Sequence, residues 1–118
     1  MSELTMYVVL RRDLLTALKW PLGALVAQGC HAATAVLWQQ KDDPDVLQYM
    51  QQVETMRKVV VEAESESDLK EVSEKLSQAQ IAHKLWIEQP ENVATCIAVK
   101  PYPKDVVRPY LKKLKLFS

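Results

Sequence analysis

The chain has 118 residues, 48% hydrophobic and 25% charged, and its fifteen basic and fifteen acidic side chains cancel to a formal charge of zero. That suits one compact domain over residues 1–118 with a single core, and it argues against a chain-wide attraction to polyanions. Gly23 and Gly29 are the only glycines, which excludes a phosphate-cradling glycine loop. The charge is unevenly spread: Lys100 to Ser118 carries six basic residues and one acid, against nine and fourteen in the first 99 residues. Cys30 and Cys96 lie far apart with no metal-type spacing, so they read as small apolar residues of a reduced, cytoplasmic protein without metal or organic cofactor. No apolar run is long enough for a membrane span, and Met-Ser-Glu-Leu-Thr does not read as a signal peptide.

In chain order, Met6 to Leu10 is a short run of β-formers that reads as a buried first strand, closed by Arg11, Arg12 and Asp13. A connection through Thr16 and Lys19 leads to Trp20-Pro21, and a helix from Pro21 or Gly23 runs to Gln40. On it, Gln28 and His31 share a face with Ala24, while Val26, Cys30, Ala33 and Leu37 form an apolar stripe expected to face a sheet. Pro44 or Asp45 opens a second helix carrying Val46, Leu47, Met50 and Val53. Lys58 to Glu62 reads as a strand. Ser65 with Asp68 matches a capping box for a helix with Leu69, Val72, Leu76 and Ala79 inward. His83 to Glu88 and Ala94 to Val99 read as two strands hairpinned around Gln89 to Asn92. From Lys104 a last helix turns Val107, Leu111 and Leu114 inward and Lys104, Arg108, Lys112 and Lys115 outward, kinked or delayed by Pro109. Together these predict an α/β fold: three α/β/α layers, a mixed four-stranded sheet and about four helices.

His31 is the main candidate for chemistry, because an imidazole takes or delivers a proton near neutrality. It also suits a half-buried junction where it bonds a carbonyl. Gln28 fits the orienting of a water, or the capping of a strand. Lys19, Arg11 and Arg12 lie at the end of the sheet where the helix begins. The backbone N–H groups around Gly23, Ala24 and Leu25 would make that end hospitable to an anion or oxyanion, unless the basic residues are simply solvated. Glu88 is a candidate acid partner or backbone anchor. Lys112 and Lys115 fit a polyanion contact or the outer face of an amphipathic helix, and Trp20 or Trp38 fits base stacking or core.

Val-Ala-Gln-x-x-His-Ala (Val26 to Ala32), preceded by Arg-x-Asp-Leu (Arg11 to Leu14), resembles the archaeal and eukaryotic class 2 peptidyl-tRNA hydrolases. The likeness extends through Lys58-Val-Val-Val-Glu-Ala, the Ala94 to Val99 strand and the closing Leu-Lys-Lys-Leu-Lys-Leu-Phe. The resemblance implies hydrolysis of the ester between a peptide and the 3′ ribose oxygen of tRNA, and a homodimer as in many members. Gln28 and His31 match the glutamine and histidine of active members. The lysine those members place one turn earlier falls on Ala24, leaving Lys19 as a stand-in. Their Asp-Ala-Gly-x-x-Thr loop falls on Glu88 to Asn92, shortened before Thr95, with Glu88 the surviving acid and neither the small residues nor a clearly placed threonine. Two functions fit: an ester hydrolase acting on peptidyl-tRNA, or a weakened or inactive RNA- or protein-binding module on the same fold.

Overall fold

The computed structural model describes residues 3–118. Strand β1 (Leu4–Arg11) is the centre of the sheet. Its run of apolar residues has no polar face, and both faces are covered: Met6, Val8 and Leu10 pack on one side, Tyr7 and Val9 on the other. Strand β2 (Lys58–Ala63) pairs with it in parallel. Strands β4 (Val93–Val99) and β3 (His83–Glu88) follow on the other side, both antiparallel, giving the order β2-β1-β4-β3. The fold is thus the expected mixed α/β sheet between helices; the sheet is open and carries a short addition. Residues Tyr102–Pro103 (β5) pair with Leu4 and Thr5, a contact too brief to leave a pattern in sequence.

Among the described residues there are five α-helices rather than about four. The extra one is α1 (Asp13–Thr16), a single turn after β1. Helix α2 (Leu22–Gln39) and α3 (Pro44–Gln51) cover one face with Leu25, Ala32, Val36 and Tyr49, and α4 (Glu66–Gln78) and α5 (Lys104–Leu111) cover the other with Leu69, Leu76, Val107 and Leu111. Burying each of the leucines and valines among them contributes about 1.5–3 kcal/mol. The start signals behave as their chemistry dictates. Ser65 Oγ accepts the Asp68 amide at 3.2 Å, and Asp43 Oδ1 accepts those of Asp45 and Val46 at 2.9 and 3.4 Å, with Pro44 next in line. Helix α5 carries Pro109 within it and ends at Leu111, two residues on.

The phase of α2 differs from the expected one. Val26 is 54% exposed and Cys30 is exposed, while Leu25, Gln28, Ala32 and Val36 point at the sheet. Both sets have helical spacing, and the many alanines leave hydrophobicity nearly even around the helix, so the periodicity does not choose between them. What the helix buries instead is a polar side chain, Gln28. Cys96 does lie in the core, where burial foremost, and Cys30 after it, push the thiol pKa up. Gly29 faces Val8 and Leu10; a Cβ there would meet their methyls at 3.7 and 3.6 Å, ordinary contact distances. Gly29→Ala is therefore expected to raise stability by about 0.5–1 kcal/mol, read from chemical denaturation.

The C-terminal tail closes the far edge of the sheet. Lys115 O accepts the Glu62 amide at 2.9 Å and Val60 O accepts that of Phe117 at 3.0 Å, so the tail runs beside β2 and blunts it as an edge. No helix among the described residues is long and apolar enough to cross a membrane. Nor does any group of three His, Cys, Asp or Glu among them suit a metal ion.

Candidate active site

Gln28 is 2% exposed, and both ends of its amide are engaged. Nε2 donates to the Ala24 carbonyl at 3.2 Å and Oε1 accepts from Thr95 Oγ1 at 2.8 Å. Since a carbonyl can only accept, the Ala24 bond fixes which end of the amide is nitrogen, and the hydroxyl then takes the other end. One N–H and one lone pair of Gln28 remain for a further partner.

Thr95 reaches α2 only because β4 is irregular. Trp86 lies opposite Cys96 and Ile87 opposite Ala94, so Thr95 has no partner on β3. Strict alternation from Cys96, which packs on the α2 side, would send Thr95 toward α4. The bulge inserts one residue and resets the phase. Ala94 then joins the α4 side, and Thr95 turns to Gln28.

His31 stands one turn on, at the exposed rim. Its ring stacks on Trp86, with centroids 5.0 Å apart and planes at 28°. The Trp86 Nε1–H donates to Glu88 Oε1 at 3.0 Å. Strand periodicity sets this up: Trp86 and Glu88 are two residues apart on β3 and share a face. A buried, fully oriented amide thus sits beside a solvent-accessible imidazole whose ring plane is held by an indole, itself tied to a carboxylate.

Of the residues singled out in sequence, Gln28, His31 and Glu88 come together here. Lys19 and Gly23 lie at the exposed start of α2, Lys19 in the left-handed region at φ 59°. The amides of Ala24 and Leu25 are not open to an anion, because both donate to the Pro21 carbonyl, at 3.0 and 3.2 Å. Arg11 is not a solvated loop residue. It is 4% exposed, within β1, and bonds Asp13 and the Ala94 carbonyl. Arg12 lies over the Phe117 ring and bonds Glu62 and the Ser118 carbonyl, at the β2 edge. Lys112 and Lys115 belong to the α5 end of the chain, across the sheet from α2, and Lys115 shares a hollow with Glu62, Glu64, Asp68 and Glu71. Sequence reasoning gave neither Trp86 nor Thr95 a part in the site. The spacing of Trp86 to Glu88 could have pointed to it, whereas Thr95, expected to have no clear place, is brought to Gln28 by a bulge that leaves no pattern in the sequence.

Comparison with known proteins places the chain in a family. The family model described as peptidyl-tRNA hydrolase PTH2 matches residues 4–117. A human protein named "Putative peptidyl-tRNA hydrolase PTRHD1" is 57% identical over 116 residues, covering 98% of this chain and 83% of its own. The "Peptidyl-tRNA hydrolase" of Thermococcus onnurineus is 36% identical over 115 residues, covering 92% and 93%. A solved structure of a protein of unknown function from Agrobacterium tumefaciens strain C58 superposes with a TM-score of 0.61 over the whole of both chains at 14% identity, a likeness of fold alone. The chain belongs to the PTH2 family of peptidyl-tRNA hydrolases.

Proposed function

We propose that this chain hydrolyses the ester joining a peptide or N-blocked amino acid to the 3′ ribose oxygen of tRNA, in the service of translation in the cytoplasm. Water attacks the acyl carbon while His31 takes one of its protons, and the acyl–oxygen bond breaks as His31 returns that proton to the departing ribose oxygen. Gln28 orients the water or the ester through its remaining N–H and lone pair, and Glu88 acts through Trp86 to hold the imidazole in plane. Lys19 and Gly23, at the positive end of α2, face the tRNA backbone. The observation that carries the reading is the Gln28–Thr95 hydrogen bond beside the exposed, stacked His31. The test is deacylation of an N-acetylaminoacyl-tRNA in ¹⁸O-water. Label is expected in the released carboxylate and none in the tRNA; label in the tRNA 3′ end, or no release above the buffer rate, would overturn it.

Ala24 favours a second reading, a binding module with the hydrolase fold, since the lysine ammonium of the active members that the chain resembles is missing one turn before Gln28. Losing one oxyanion donor typically costs about 10²–10³ in rate. A chain that binds tRNA without cleaving it, and that gains deacylation on Ala24→Lys, would establish this reading instead.

A further inference from the structure

The bulge that turns Thr95 toward Gln28 is held from outside the site, by side chains of two other elements. A bulge disrupts the ladder beside it, and a buried backbone group without a partner is costly, so the N–H and carbonyl of the residue before Thr95 need partners from elsewhere. At Ala94 both are supplied. Its N–H donates to Glu66 Oε2 at 2.9 Å, and its carbonyl accepts from Arg11 Nη1 at 2.9 Å. Arg11 is fixed in turn by Asp13, which takes its Nε and Nη2 at 2.9 and 3.0 Å in a two-pronged pair. The Arg11 side chain is 5% exposed, so the guanidinium has no room to swing away.

We propose that Arg11 and Glu66 are positioning residues for the hydrolysis: by holding Ala94 through its N–H and its carbonyl they fix the β4 bulge and thereby aim Thr95 at Gln28. The proposal rests on the hydrolase reading for its effect on rate, but the clamp itself is observable without any reaction. The sequence explains why such a clamp is at hand. Arg11 ends β1 beside β4, and Glu66 sits in the first turn of α4, just past the Ser65 cap, where a carboxylate is favoured by the helix dipole. The Ala94 amide foremost, with Lys70 and Arg11 after it, holds the Glu66 carboxyl below the usual range against partial desolvation, so it stays an acceptor near neutrality.

The test uses Glu66→Ala and Glu66→Gln in the full chain; the Glu66 side chain is 34% exposed, so neither change empties the core. In amide NMR spectra, Glu66→Ala is expected to shift the Ala94 and Thr95 backbone resonances and the Gln28 side-chain amide, and to speed exchange of the Ala94 amide. Its kcat for N-acetylaminoacyl-tRNA is expected to fall about tenfold with KM held, as suits one lost bond acting on orientation. Glu66→Gln, which keeps an acceptor oxygen, should restore both. Arg11→Lys, which loses the fork that reaches Asp13 and Ala94 together, should follow Glu66→Ala. Unchanged resonances in Glu66→Ala would overturn the clamp. Shifted resonances with wild-type kcat would overturn the positioning role, as would a Gln variant as impaired as the Ala variant. Absence of deacylation by the wild type would count against the hydrolase reading, while the resonances would still decide the clamp.

Discussion

Thr95→Val is expected to cut deacylation by about 10²-fold, the scale of a misplaced reacting group. It is also expected to destabilise the chain by about 1–3 kcal/mol, the cost of leaving a buried acceptor unsatisfied. Valine has the shape of threonine but no donor. Gln28 Oε1, 2.8 Å from the hydroxyl on a side chain that is almost wholly buried, would lose that bond, and the amide would be held at the Ala24 end alone. Thr95→Ser keeps a hydroxyl and is expected to recover most of the rate. Steady-state kinetics and urea denaturation of the two variants measure both effects, and equal kinetics for Val and wild type would show that the hydroxyl has no part in catalysis.

Lys100→Met is expected to do the reverse: a large loss of stability with little change in rate. The ammonium is 3.1 Å from Asp43, 3.4 Å from Asp45 and 2.7 Å from the Pro101 carbonyl, and lies 3.7 Å from the Tyr102 ring centroid. Its side chain is 4% exposed. It therefore pins the end of β4 to the opening of α3. Removing one partner of a buried ion pair typically costs about 3–5 kcal/mol, and the partial hydration of both aspartates puts this case near about 3. That corresponds to a fall in Tm on the order of 10 °C. Lys100 follows the end of β4, and five residues of strand from Thr95 place it about 17 Å from the site, so kcat well below the transition should hold.

The contrast between these variants shows which parts of the molecule were legible in the sequence. Elements with strong local chemistry were readable: the apolar run of β1, the Ser65 cap, Asp43-Pro44, and the hairpin that brings β3 beside β4. The Gln28 and His31 face followed from helical spacing together with the family motif. The facing of α2 did not, because in a helix this rich in alanine the buried stripe is selected by what the sheet presents, including Thr95. The role of Arg11 was hidden for a related reason. Next to Arg12 and Asp13 it reads as a charged strand end, and only the fold brings the Ala94 carbonyl within its reach. Of the basic stripe expected on the last helix, only Lys104 and Arg108 lie on α5, which ends at Leu111 before Lys112 and Lys115. Topology sets that end of the chain across the sheet from α2. Long-range register carries this information, and local pattern does not.

The proposed part of His31 in ester hydrolysis is tested most directly by single-turnover release of N-acetylamino acid from tRNA by the wild type and by His31→Ala, with melting temperatures recorded alongside. His31 is exposed and packs only its ring on Trp86, so the variant should fold as the wild type does. Its rate is expected to fall by about 10²–10⁴, the usual contribution of a general base. A His31→Ala protein that releases the amino acid as fast as the wild type would show that His31 does not perform the hydrolysis.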